Sequence, residues 1–128
     1  MKVFCYFNLH RKCFSIKALE GPNKGRVVAH RDDVLLFDCV FKVSEAGRQR
    51  VLRERKKNVH AGVVGEWDET GTDLITIARV TTIGRPVTYN PYKYNTFVYL
   101  YGQQPVDCAR LVALSISGGK SSHINVWN

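Results

Sequence analysis

The sequence has no C-x-x-C pair and no His-x₃₋₅-His pair: its cysteines (Cys5, Cys13, Cys39, Cys108) and histidines (His10, His30, His60, His123) are dispersed. A structural zinc site needs close ligand spacing, so no bound metal is expected. The stretch from Met1 to Leu9 is broken by Asn8 and followed by His10 and Arg11, too short an apolar run for a signal peptide. An intracellular, reduced protein is the expectation. No run approaches the ~18 apolar residues of a membrane span, so no membrane-embedded role is expected. Catalytic motifs are missing too. There is no G-x-S-x-G elbow, no H-E-x-x-H pair and no G-x-G-x-x-G loop. Asp32-Asp33 reads as a turn rather than a metal motif, and His60 alone makes no catalytic set. No enzyme and no cofactor are expected.

Acidic residues are scarce as well, 11 against 19 Lys plus Arg, which leaves a formal charge of +8. Such a surface favours phosphate-rich partners. The 128 residues suit one domain with its own core, residues 1–128, and neither repeats nor low-complexity tracts divide it.

The pattern of apolar residues predicts an α+β fold, mostly antiparallel sheet with one helix packed on it. VFCYFNL and CFSIKAL flank the polar His10-Arg11-Lys12, the signature of a hairpin. Strands are also predicted over Arg26–His30 and Val34–Phe41, the second covered on both faces because it opens with four apolar residues in a row. Further strand signals lie at Val59–Glu66, Leu74–Thr82, Thr96–Tyr101, Leu111–Ser117 and His123–Trp127, separated by Gly71, Gly84, Pro105 and Gly118-Gly119. Over 44–57 the pattern is helical: Ser44 caps, Glu45 suits the positive end of the dipole, and cations crowd the last turns. Val43, Gly47 and Val51 form a narrow apolar stripe. Residues near Val106–Ile116 mix periods, and a second helix in the C-terminal third stays open.

Three constellations suit an anionic ligand. The basic helix carries six cations and one carboxylate between Arg48 and Lys57, with Arg50, Arg53 and Lys57 on one face; guanidinium forks grip phosphate bidentately. A plain solvated face with Arg50 paired to Glu54 is the alternative. The segment from Arg85 to Tyr99 interleaves aromatics with Asn, Lys and Arg. There Pro91 stiffens Asn90 for a base edge or ribose, and Tyr92 or the alternating Phe97, Tyr99 and Tyr101 offer rings for stacking. Those alternating rings fit a β core at least as well. Gly21-Pro22-Asn23-Lys24-Gly25-Arg26 offers backbone amides, Lys24 and Arg26 to a phosphate, though its spacing is not that of a P-loop.

Ala18–Val28, Phe41–Glu54, Val59-His60-Ala61 and Val87–Tyr92 together resemble small bacteriophage proteins of the Thoeris anti-defence sponge family. The resemblance implies a β-sheet core with a helix, assembly into dimers or larger homo-oligomers, and ligand sites at protomer interfaces. It also implies sequestration, without cleavage, of cyclic ADP-ribose signals and in some members cyclic oligonucleotides, in the cytoplasm of the infected bacterium. Arg26, Asn90, Phe97 and Arg110 would touch the ligand, with Lys24, Gly25 and Tyr92 beside them. The competing expectation is a basic phage module that binds nucleic acid or inhibits a protein.

Overall fold

The computed structural model describes residues 1–68, 74–117 and 121–128, and the predicted breaks at Gly71 and Gly118-Gly119 lie outside them. Strands β1 (Lys2–Asn8), β2 (Cys13–Ala18), β3 (Val27–Arg31) and β4 (Asp33–Val43) lead into helix α1 (Glu45–Glu54). Strand β5 (Ala61–Trp67), helix α2 (Leu74–Ile83) and strands β6 (Arg85–Thr88), β7 (Val98–Tyr99), β8 (Cys108–Ser117) and β9 (Ser121–Trp127) follow. The nine strands pair in the order β3-β2-β1-β5-β4-β8-β9-β6-β7, each neighbouring pair antiparallel. The fold is α+β.

The first hairpin forms where the polar break predicted it. The Asn8 side-chain carbonyl accepts from the amides of His10 and Arg11, and Lys12 takes a left-handed φ of 57° to close the turn. The link between β3 and β4 is the single residue Asp32, although β2, β1 and β5 lie between those strands in the pairing order. That link forces the β3 edge to swing back toward β4, so the first five strands curl around their shared core. The Arg31 guanidinium lies 5.7 Å from the Trp67 ring centroid, joining the end of β3 to the end of β5.

Inside the curl sit Val3, Cys5, Phe14, Ile16, Val34, Leu36, Val63, Val112 and Leu114 with their neighbours. Each such aliphatic side chain contributes about 1.5–3 kcal/mol by leaving water. Burial pushes the Cys39 thiol up to about 12 and raises Cys5 strongly, so both act as small apolar groups. Val34, Leu35 and Leu36 are all buried, the two-sided cover that their continuous apolar run predicted. Leu35 meets a second, smaller cluster on the opposite face, formed with Ile77 and Val80 of α2 and Ala113 of β8.

Two predicted elements change type. Leu74–Thr82 reads as a strand because it is rich in β-branched residues, yet it forms α2. Ile77 and Val80, one helical turn apart, are the buried positions, and packing on Leu35 and Ala113 outweighs weak intrinsic preference. The second helix considered near Val106–Ile116 is instead strand β8, paired on both sides by β4 and β9. Thr96–Tyr101 shortens to the two residues of β7.

Helix α1 also ends early. Ser44 caps it by accepting from the Gly47 amide at 3.2 Å, but Arg55 turns left-handed (φ 52°) and donates its amide to Val51, so Arg55, Lys56 and Lys57 lie past the helix. Lys57 therefore does not share a helix face with Arg50 and Arg53. Of the predicted stripe, Val51 is the residue α1 buries. Val43 pairs with Ala61, and the Ser44 amide donates to His60, so residues 45–59 form an excursion clasped at its base. Gly47 sits at that base, where a Cβ would lie 2.6 Å from the His60 Cβ. Gly47→Ala should therefore lower the melting temperature although alanine is worth about 1 kcal/mol more than glycine inside a helix. An unchanged or higher melting temperature would show that the clasp has room to give.

Candidate ligand cleft beside helix α1

Helix α1 and the loop 89–97 are tied together by Arg48. Its Nε–H donates to the carbonyls of Pro91 (3.0 Å) and Tyr94 (2.8 Å), and Nη1 donates to Glu45 Oε1 at 2.9 Å. The Arg48 side chain is 15% exposed. Glu45 also accepts from Gln49 at 2.8 Å. That bond and the Arg48 contacts hold the Glu45 carboxyl below its ordinary range, so its contribution is complete at neutral pH and is lost as pH falls through its lowered value.

The loop is shaped by Asn90. Its side-chain carbonyl accepts from the Tyr92 amide at 2.9 Å, and its main-chain carbonyl accepts from the amides of Lys93 and Tyr94. Asn90 is thus a turn-maker, with its side-chain oxygen already engaged. The turn leaves Tyr92 59% exposed. Beneath it, Tyr89 packs on Phe97 (ring centroids 5.1 Å apart) and bonds His60 Nε2 through its hydroxyl at 2.7 Å. The His60 Nδ1 faces the Asn58 carbonyl at 3.1 Å, which can only accept, so Nδ1 carries the proton and Nε2 accepts from Tyr89. Burial raises the Tyr89 phenol, in keeping with a hydroxyl that stays protonated and donates.

Between α1 and this loop opens a cleft of about 410 Å³ lined by Arg48, Lys93, Tyr94, Asn95, Thr96, Val98, Gln103 and Pro105. Two cations, two amides and two hydroxyls converge there. None of the lining residues is a carboxylate, histidine or cysteine. The left-handed φ of 52° at Gln103 belongs to the turn closed by its amide to the Tyr99 carbonyl.

The structure sorts the predicted ligand residues. Arg48 lines the cleft, while Asn90 and Tyr92 belong to the loop that forms its wall. Phe97 does not: it is 4% exposed and held between Phe41 and Tyr89, so it cannot offer a face to a base. The alternating platform fails with it, since Tyr99 lies under the Arg85 guanidinium, 3.6 Å from its centroid, and Tyr101 belongs to a turn. The glycine turn lies at the other end of the ladder, beside the Val3–Gly65 pair rather than the Val43–Ala61 pair. Three of its amides are already engaged: Lys24 donates to Gly21, Gly25 to Ala18 and Arg26 to Asn23. Exposed Lys24 and Arg26 side chains remain, without the backbone cradle that Gly25 was expected to supply. Arg110 is exposed on β8, away from the cleft lining, with its amide on the Asn128 side chain. Arg50, Arg53 and Lys57 are exposed on the excursion. Lys93, Asn95 and Thr96 were visible as part of the polar-aromatic run; Gln103 carried no signal, because its place depends on the turn after β7.

Residues 1–121 match the family model described as the Mycobacterium phage L5 gene 82 protein. The Gene 82 protein of Mycobacterium phage L5 is 41% identical over 128 residues, covering 95% of this chain and 96% of that protein. Both are phage proteins, as the resemblance implied, and neither name carries an activity. No solved structure matches.

Proposed function

The chain belongs to the family of the Mycobacterium phage L5 gene 82 protein, and from the lining of its cleft we propose that it works in the cytoplasm of the infected bacterium as a phosphorylated-nucleotide sponge. In this reading the cleft beside Arg48 takes a cyclic ADP-ribose isomer, or a cyclic oligonucleotide, and holds it intact. The observation that carries the reading is the lining itself: Lys93 for phosphate, with the Nη2 of Arg48 that the loop carbonyls and Glu45 leave over, and Asn95, Gln103 and Thr96 for ribose and base edges. The lining holds no carboxylate, histidine or cysteine, so Lys93 and Tyr94 have no such partner within it to activate them, which favours capture over turnover. Exposed Tyr92 at the rim supplies a ring for the base, worth roughly 1–3 kcal/mol. The cleft is shallow and largely open to solvent, and pairing of copies into a homo-oligomer would cover it.

Titration calorimetry with cyclic ADP-ribose isomers and cyclic oligonucleotides tests this, followed by chromatography of ligand released by heat. Lys93→Glu should weaken the best ligand at least ~10-fold, since a charged hydrogen bond is worth about 1.5–3 kcal/mol. Failure of every nucleotide to bind sinks the reading, and release of a chemically altered ligand replaces the sponge with an enzyme.

A further inference from the structure

We propose a second anion surface: the outer side of the 45–59 excursion docks the phosphodiester backbone of single-stranded nucleic acid. Arg53, Arg55, Lys56 and Lys57 are all exposed there. The lone carboxylate among them, Glu54, is taken by Arg50 at 2.7 Å. Among the described residues no ion pair involves the other four. The helix dipole accounts for a cation in the last turn, where Arg53 sits, but its effect fades within that turn. Arg55 makes the left-handed turn that ends α1 and Lys56 and Lys57 follow it, so the three repel one another without that compensation. A polyanion relieves the repulsion, and release of its condensed counterions drives binding.

Two observations choose the partner. A membrane surface would need an apolar face of large side chains beside the cations. Here the excursion buries Val51 and exposes only Val59 as a large hydrophobic residue. The neighbouring loop, pinned to α1 by Arg48, presents Tyr92 with more than half its surface free. A cationic strip and an exposed ring carried on the loop pinned to the same helix are the two kinds of group that hold unpaired bases and their backbone. The four cations lie outside the cleft lining and only Tyr92 is common to both readings, so the salt slope and its loss with the cations test the inference whether or not the cleft takes a nucleotide.

Fluorescence anisotropy with a labelled mixed-sequence oligonucleotide, single-stranded and as a duplex, tests it across a salt series. Four neutralised phosphates give a log–log salt slope of about −3 for single strands, roughly a 60-fold loss between about 50 and 200 mM. In the triple variant Arg53→Gln, Lys56→Gln, Lys57→Gln the slope should fall to about −1, with the melting temperature unchanged because the three side chains are exposed. Tyr92→Ala should weaken the single strand and leave the duplex unchanged. Wild-type affinity and slope in the triple variant overturn the proposal. So does equal binding to vesicles of anionic phospholipid with the same dependence on these residues.

Discussion

Phe97→Ala is expected to lower the stability of the fold by about 3–5 kcal/mol while leaving the cleft's chemistry in place. The phenyl ring is enclosed, with Phe41 at 5.0 Å and Tyr89 at 5.1 Å between centroids. Its carbonyl accepts from the Val106 amide at 2.9 Å, which fixes the backbone around the lost ring and limits collapse into the void. A cavity that cannot close costs more than the transfer energy of the missing atoms. Phe97→Leu keeps most of the volume and should lose about 1.5 kcal/mol or less. Urea unfolding checks both, with the midpoint moving and the slope holding. A variant of full stability that has lost nucleotide affinity would return Phe97 to the ligand.

Arg48→Ala is expected to cost about 2–4 kcal/mol, on the scale of net charged hydrogen bonds, and to loosen the loop. One guanidinium joins the first turn of α1, through Glu45, to two carbonyls of the 91–94 turn. Its loss leaves those carbonyls without their donor and releases one wall of the cleft. The amides of Tyr92, Lys93 and Tyr94, each bonded to Asn90, report the event, and their hydrogen exchange should accelerate more than that of β5 or β8. Arg48→Lys keeps the charge but offers a point donor in place of a planar fork, so it should recover less than half of the loss. Wild-type exchange in Arg48→Lys would mean that charge alone matters and that the loop needs no pin.

The sheet was legible in the sequence where one physical signal dominated. A polar break between two aromatic, β-branched runs gave the first hairpin, and the run from Val34 to Leu36 gave a strand covered on both faces. Leu74–Ile83 misled because its β-branched composition speaks for a strand, while the burial of Ile77 and Val80 depends on a surface built by distant residues. The helix start was readable from Ser44 and Glu45. Its end was not, because cations suit both the last helical turn and the chain after it, and a non-glycine residue in a left-handed conformation leaves no mark in composition. The cleft was partly legible: aromatics and amides in the 85–99 run pointed to the right loop, and Arg48 lay in the basic run. Which rings are core and which are surface was beyond reach, since Phe97 and Tyr92 differ in burial rather than in any pattern around them.

The clasp between Ser44 and His60 separates two kinds of evolutionary freedom. Residues 45–59 leave the sheet and return to it at one hydrogen-bonded junction, and Arg48 and Val51 carry their inward contacts. Substitutions at Arg53, Arg55, Lys56 or Lys57 therefore reach neither the curled core nor the register of β4 and β5. The charge of this finger can be redrawn one residue at a time, and the scaffold that displays it stays as it was.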